Sequence, residues 1–137
     1  MEDFRTVVDV QLRFRDTDAL GHVNNAVYLE YLEVARIEWL KRVFGTVEVR
    51  NFGVIIARVE IDYRSPAMHH ETLRVGIRVS ELGAASMKME YRIEEKAGRR
   101  LVAEAKTVMV CYDYRENKVK RWTDEVRAQV EAYDGSA

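Results

Sequence analysis

Hydrophobic and polar residues alternate with a period of two between Phe4 and Arg15. The apolar side of this segment consists of Val8, Val10, Leu12 and Phe14. Such alternation is typical of a β-strand with one buried face. The polar, glycine-containing residues that follow, Asp16 to Asn24, predict a loop.

The period changes to that of an amphipathic helix from about Asn25 to Phe44. Its apolar stripe consists of Leu29, Leu32, Ala35, Trp39, Leu40 and Val43. Asn24 or Asn25 is the predicted N-cap, and Gly45 is the predicted stop. A helix of this length spans about 30 Å, which is long for a small domain.

Four further β-strands are predicted after the helix. They cover Phe52 to Tyr63, Leu73 to Val79, Met87 to Ile93 and Leu101 to Tyr112, the last apolar enough to be a central strand. The dipeptides Gly83-Ala84 and Ala97-Gly98 lie where hairpin turns are needed. We therefore expect an antiparallel meander of about four strands.

A short C-terminal helix, Thr123 to Tyr133, completes the predicted elements, with Thr123 as its cap. Because only the first helix is long enough to cover a sheet, it must lie across one face of it. The pattern predicts an α+β fold in which the sheet curves around a central helix. No linker, repeat or low-complexity stretch interrupts the chain, which predicts a single domain over residues 1–137.

Composition and charge narrow the possible functions. The 137 residues include 22 Lys and Arg against 23 Asp and Glu, a formal charge of −1 that argues against nucleic acid as the main partner. No apolar run approaches the ~20 residues of a membrane helix. The acidic start of the chain lacks an apolar signal core, and Cys111 has no second cysteine to pair with. These features predict a cytoplasmic protein.

The densest polar cluster lies at the strand-to-helix junction, Arg15 to Tyr28. Two carboxylates, a histidine and two amides precede a helix N-terminus, where free backbone N–H groups favour bound or developing negative charge. Acyl transfer needs a base or nucleophile beside a carbonyl carbon and donors facing its oxygen. This junction can supply both.

The same residues also have structural interpretations. Asp16, Asp18, Asn24 and Asn25 belong to types that favour turns and caps, and His22 is open to a simple loop role bonded to backbone. A metal site formed by Asp16, Asp18 and His22 is disfavoured, because no second histidine or carboxylate pair lies nearby at helical ligand spacing.

The segment Asp16 to Arg36, DTDALGHVNNAVYLEYLEVAR, closely resembles the signature of the 4-hydroxybenzoyl-CoA thioesterase family. The later IDYRSPA, Ile61 to Ala67, is similar to that family's second strand and following turn. The resemblance covers essentially the whole chain. It implies a hotdog fold, with a curved antiparallel sheet of about five strands wrapped around one long central helix. It also implies hydrolysis of an acyl-CoA to a carboxylic acid and CoA, with no metal or redox cofactor.

The resemblance assigns roles to four residues. Asp18 matches the family's active-site carboxylate, which attacks the thioester carbonyl or activates a water. The backbone N–H of Asn25 matches the group that polarises the carbonyl oxygen. His22 matches a histidine of the G-H-V-x-N subgroup that orients the carboxylate or the substrate; the enzyme that names the family lacks this pattern, which weakens the case for an aromatic substrate. Tyr28 matches a family tyrosine that either packs on the sheet or contacts substrate.

Arg64 and Ser65, at the end of the second predicted strand, are candidates for binding a CoA phosphate. The same role is open to other cations, Lys88, Arg99, Arg100, Lys118, Lys120 and Arg121. A solvated surface position is the default interpretation for each of these residues. The resemblance further implies a homodimer or homotetramer with sites between subunits. The open edge of one small sheet favours the same arrangement.

Two other functions remain open at this point. One is hydrolysis of an acyl-carrier-protein thioester, since an H-V-N-N element also occurs in such thioesterases, although those are usually longer and carry two hotdog repeats. The other is a non-catalytic acyl-CoA-binding module. A regulator of that kind would normally carry an additional DNA-binding segment, and we expect no room for one in 137 residues. The presence of Asp18 beside a donor-rich helix start also favours catalysis.

Overall fold

The computed structural model describes residues 1–45 and 53–135, which contain six strands and two α-helices. In chain order they are β1 (Thr6–Gln11), α1 (Tyr28–Phe44), β2 (Gly53–Tyr63), β3 (Thr72–Leu82), β4 (Ser86–Glu95), β5 (Leu101–Asp113), β6 (Lys118–Val119) and α2 (Asp124–Asp134). The predicted start of the second strand, Phe52, lies outside the described residues.

The strands form one antiparallel sheet in the order β1-β3-β4-β5-β2, with β6 added to β5. Strands β3, β4 and β5 form the predicted meander, joined at the two predicted turns. The expectation that β2 continues this meander is wrong, because β2 pairs with β5. A central strand needs two neighbours, and β2 supplies the second neighbour of the apolar strand β5. The chain has the predicted α+β hotdog architecture, with the sheet curled around α1.

One face of the sheet packs against α1 and forms the core. The alternating residues of β4 that were predicted to be apolar on one side, Met87, Met89, Tyr91 and Ile93, are all buried. The buried face of α1 consists of Tyr28, Tyr31, Leu32, Ala35 and Trp39. Leu29 was placed on this stripe by the sequence, but it is 47% exposed. At 3.6 residues per turn it lies about 100° from Tyr28, which takes the inward position instead.

The ends of the elements follow local chemistry. Asn24 caps a 3-10 turn, Asn25–Val27, that leads directly into α1, and Gly45 ends α1 with a positive φ of 78°. Thr123 caps α2 by accepting the Val126 N–H at 3.2 Å. The first strand is shorter than predicted, because the chain turns into a short 3-10 segment that leaves Phe14 79% exposed. None of the helices in the described ranges is long and apolar enough to cross a membrane.

Candidate active site

The loop before α1 folds back on itself as a tight turn between Asp18 and His22. Thr17 pairs with Val23 in an isolated antiparallel bridge, and the Asp18 N–H donates to the His22 carbonyl at 2.8 Å. Gly21 closes the turn with a φ of +88°, a conformation that glycine adopts without steric cost, and its N–H donates to the Asp18 carbonyl at 3.1 Å. The turn therefore holds Asp18 and His22 opposite each other.

The Asp18 carboxylate is fixed through one oxygen. Oδ1 accepts the Leu20 N–H at 2.8 Å, while Oδ2 lies 3.6 Å from Nδ1 of His22. That second distance is longer than a hydrogen bond, so Oδ2 keeps its capacity to accept a proton or attack a carbon. About one third of each side chain is exposed, which leaves the pair accessible to a substrate.

Asp16 has a different environment although it is only two residues away. It is 2% exposed, and its carboxylate accepts hydrogen bonds from the Arg13 side chain at 2.8 Å and the Tyr31 hydroxyl at 3.1 Å. Burial alone would raise the pKa of Asp16, but the hydrogen bonds from Arg13 and Tyr31 outweigh it and hold the pKa below its usual value. Asp16 is thus a structural ion that anchors the loop to α1.

The backbone N–H groups at the start of the helix are almost all used. The Asn24 N–H donates to the Asp16 carbonyl at 2.9 Å, the Ala26 N–H to Asn24 Oδ1 at 3.0 Å, and the Val27 N–H to the Asn24 carbonyl at 2.9 Å. The Asn25 N–H makes no hydrogen bond to any described residue. It is the donor of this stretch that is available to a ligand, and it sits where the helix start favours negative charge.

Tyr28 lies at the first position of α1, just after this donor, and is buried against the sheet. Its ring makes edge contacts with the rings of Tyr31, at 5.6 Å between centroids, and Tyr63, at 5.1 Å. Burial raises the pKa of Tyr28 to about 12, so its hydroxyl stays neutral. Tyr28 is 2% exposed, and its contact with substrate stays a prediction.

Residues 12–130 match the sequence profile of the thioesterase-like superfamily. The chain belongs to that superfamily.

Individual relatives agree with this membership. The long-chain acyl-CoA thioesterase FadM of Escherichia coli K12 is 29% identical over 124 residues, which cover 89% of this chain and 94% of FadM. The acyl-CoA thioesterase YbgC of Haemophilus influenzae is 29% identical over 123 residues, 87% of this chain and 89% of YbgC. A crystal structure of a thioesterase from Thermus thermophilus, complexed with coenzyme A and zinc, superposes with a TM-score of 0.89. It is 33% identical, and the match covers 100% of this chain and 99% of that one.

In this thioesterase-like chain the loop after β2 lies directly against the Asp18–His22 turn. The Val23 N–H donates to the Ala67 carbonyl at 2.8 Å, and His22 pairs with Met68 in an isolated bridge. This contact brings the segment that follows Arg64 and Ser65 next to the turn that carries the candidate carboxylate.

The two residues predicted to bind a CoA phosphate differ in how firmly their side chains are held by other residues. Arg64 is exposed and lies 3.7 Å from Asp62, which is also exposed, so the two form a weak surface pair. The Ser65 hydroxyl is engaged, because Oγ donates to the Leu101 carbonyl at 2.7 Å and accepts from Nε of Arg100 at 3.1 Å. Arg100 is also paired with Glu71 at 2.9 Å. Arg100, one of the other candidate cations, is thus held beside this loop.

The candidate metal set of Asp16, Asp18 and His22 does not converge. The Asp16 carboxylate is bound to Arg13 and Tyr31 rather than to the other two side chains. Across residues 1–45 and 53–135, no three His, Cys, Asp or Glu side chains are grouped in a way that would hold a metal ion. Zinc therefore has no recognisable ligand set in the described part of this chain.

Sequence reasoning missed two residues of this region, Tyr31 and Tyr63. Tyr31 follows Tyr28 by three positions, a helical spacing that places both on the buried face, and this signal was readable. Tyr63 contacts the helix start from the end of β2, 38 positions away in the chain. No local pattern encodes a contact over that separation.

Proposed function

We propose that this chain hydrolyses acyl-CoA thioesters, with Asp18 as the reacting carboxylate and the Asn25 N–H as the donor to the thioester carbonyl. Thioester hydrolysis is the activity of the acyl-CoA thioesterases that the chain resembles over most of its length. The observation that carries the residue assignment is the unused N–H of Asn25 at a helix start, on the same loop as a partly exposed carboxylate.

The reaction needs charge to develop on the carbonyl oxygen as the carbon becomes tetrahedral. The Asn25 N–H and the positive end of α1 stabilise that charge. With Asp18 as a base, Oδ2 takes a proton from the water that adds to the carbon. With Asp18 as a nucleophile, Oδ2 adds first and water then cleaves the resulting anhydride. In both routes CoA leaves as a thiolate and is protonated, and the products are a carboxylic acid and CoA.

His22 would orient the carboxylate. Its Nδ1 approaches Oδ2 of Asp18 from the opposite end of the turn, at 3.6 Å, and a small movement on substrate binding would bring the two atoms into hydrogen-bond range. Neither route requires a metal or redox cofactor, and we propose that the reaction proceeds without one.

The substrate would extend from this turn along the loop after β2. Arg64 is the better phosphate ligand of the predicted pair, since its surface ion pair with Asp62 is easily exchanged for a phosphate. Ser65 would act through Arg100, whose guanidinium its hydroxyl holds. Tyr28, with its ring packed beside Tyr63, would form part of the floor under the thioester.

We also propose that the chain works as a homodimer or homotetramer. Strand β2 lies at the edge of the sheet order, and apolar side chains of β2 and α1 remain 36% to 47% exposed in the single chain: Ile56, Val59, Leu29 and Ile37. A second subunit would cover this surface, pair with the strand edge and complete the acyl pocket. The cytoplasmic location expected from the sequence stays a prediction.

Release of CoA tests the function directly. Thiol formation is followed with a thiol-reactive dye over a panel of short, medium, long-chain and aromatic acyl-CoAs, with the native chain, Asp18→Asn and the matched surface variant Asp124→Asn. We expect hydrolysis by the native chain and by Asp124→Asn, and a loss of at least about 100-fold in Asp18→Asn.

Two results would contradict this proposal. Near-normal turnover by Asp18→Asn would reject the role of the carboxylate. If the folded native chain cleaves none of the esters, the activity would have to be sought on an acyl-carrier-protein thioester or replaced by a binding role.

A further inference from the structure

The Tyr63 hydroxyl donates to the carbonyl oxygen of Asn25 at 3.0 Å. Tyr63 is the last residue of β2, so this bond ties the edge of the sheet to the start of the helix. We propose that Tyr63 is a positioning residue for the thioesterase reaction, and that it acts by fixing residue 25 so that its N–H faces the thioester carbonyl. The inference rests on the function proposed above.

The hydrogen bonds around Asn25 explain how this positioning works. Residue 25 joins two peptide planes. The plane before it contains the free Asn25 N–H and the Asn24 carbonyl, which accepts the Val27 N–H at 2.9 Å. The plane after it contains the Asn25 carbonyl and the Ala26 N–H, which donates to Asn24 Oδ1 at 3.0 Å.

The Tyr63 hydroxyl fixes the second plane from the side of the sheet. The Tyr28 N–H also reaches the Asn25 carbonyl, but it belongs to the same turn and moves with it. The Asn24 N–H anchors the turn to the Asp16 carbonyl on the loop side, and Tyr63 anchors it from the sheet, at the carbonyl of residue 25 itself. Electrostatic stabilisation of a developing oxyanion depends on donors that are already oriented, so a looser turn would lower the rate of the chemical step.

Tyr63 is itself held in place. Its ring meets the buried Tyr28 ring at 5.1 Å with an interplanar angle of 75°, an edge-to-face contact. Burial raises the pKa of Tyr63, so the hydroxyl remains a donor at neutral pH. Since the side chain is still 44% exposed, replacing its hydroxyl leaves no buried cavity and costs little stability.

The test removes only the hydroxyl. Tyr63→Phe keeps the ring contact with Tyr28 and loses the bond to Asn25. The matched control is Tyr114→Phe, because the Tyr114 hydroxyl donates to the Val54 carbonyl at 2.7 Å near the other end of β2 and its side chain is also exposed. We expect kcat for acyl-CoA hydrolysis to fall about 10-fold in Tyr63→Phe with KM unchanged, and to be unchanged in Tyr114→Phe.

Amide NMR provides a readout that does not depend on turnover. In ¹H–¹⁵N spectra the Asn25 and Ala26 signals should shift in Tyr63→Phe and stay in place in Tyr114→Phe. Unchanged Asn25 and Ala26 signals would overturn the inference, as would an unchanged kcat, or a rise in KM at constant kcat, which would make Tyr63 a substrate-binding group. If the native chain releases no CoA from any ester, the proposed function fails, while the NMR comparison still decides whether Tyr63 orients Asn25.

Discussion

The Tyr31 hydroxyl donates to Oδ2 of Asp16 at 3.1 Å, inside the contact between the loop and α1. The two acids of the loop lie in different environments. The Asp16 carboxylate is hydrogen-bonded to Arg13 and Tyr31 and holds the loop in place. The Asp18 side chain, in contrast, is partly exposed beside His22. The carboxylate proposed to react, Asp18, thus lies two residues from one that is anchored to α1.

The structural role of Asp16 predicts a stability effect that Asp18 does not share. Asp16→Ala leaves the Tyr31 hydroxyl without its acceptor and the Arg13 guanidinium with only a surface partner, so we expect the free energy of unfolding to fall by about 2 kcal/mol. The contribution of the Arg13–Asp16 ion pair to this loss is limited, because the Arg13 side chain is about half exposed to solvent. Asp18→Ala should cost less than about 1 kcal/mol. Urea unfolding of both variants measures the difference, and equal losses would argue against the division of roles.

The lowered pKa of Asp16 predicts how this stabilisation depends on pH. A carboxyl whose pKa is lower in the folded state stabilises the fold above its unfolded pKa, and the contribution is lost as pH falls through the folded pKa. The gap in unfolding free energy between the native chain and Asp16→Asn should be constant above about pH 5 and shrink below about pH 4. Urea melts at a series of pH values test this. A gap that is independent of pH down to acid unfolding would contradict it.

If the donor at position 25 is the backbone N–H, the side chain should matter little and the N–H should matter greatly. Asn25→Pro removes the N–H at the first position of the helical turn, where proline is well tolerated, and Asn24 already has the extended backbone (φ −63°, ψ 133°) that a residue before proline prefers. We expect kcat to fall by about 100-fold or more in Asn25→Pro and by less than about 5-fold in Asn25→Ala. Steady-state kinetics with the best acyl-CoA of the panel, alongside circular dichroism, provide the comparison. The reverse order would show that the amide side chain is the donor.

The exposed apolar residues of β2 predict where the proposed interface between subunits lies. Val59 is 40% exposed on this edge strand and lies opposite the buried Thr107 of β5 in the register. Val59→Lys should shift the chain from oligomer to monomer and reduce activity. Val119→Lys introduces the same charge at an exposed apolar residue of β6 and should change neither. Sedimentation velocity measures the assembly state of both variants, and CoA release measures their activity. An unchanged assembly in Val59→Lys would place the interface elsewhere.

The candidate site shows where sequence patterns suffice and where they stop. The cap at Asn24, the stop at Gly45 and the turn around Gly21 depend on the chemistry of a few adjacent residues, so they were readable or nearly readable from the sequence. The inward position of Tyr28 instead of Leu29 was not, because a one-residue difference in helix phase depends on which side chain the sheet can accommodate. The exposure of Phe14 was not readable either, because the strand ends before this residue and a 3-10 turn begins there.

By itself the sequence determined the type and order of the elements, the long helix, the α+β class and the loop on which the chemistry is proposed, because periodicity, caps and turns are properties of neighbouring residues. Only the tertiary structure decided that β2 pairs with β5, that Asp16 is buried while Asp18 is accessible, and that Tyr63 reaches Asn25. Each of these depends on the packing of segments that are distant in the chain, and the free energy of such contacts is settled when the whole core forms.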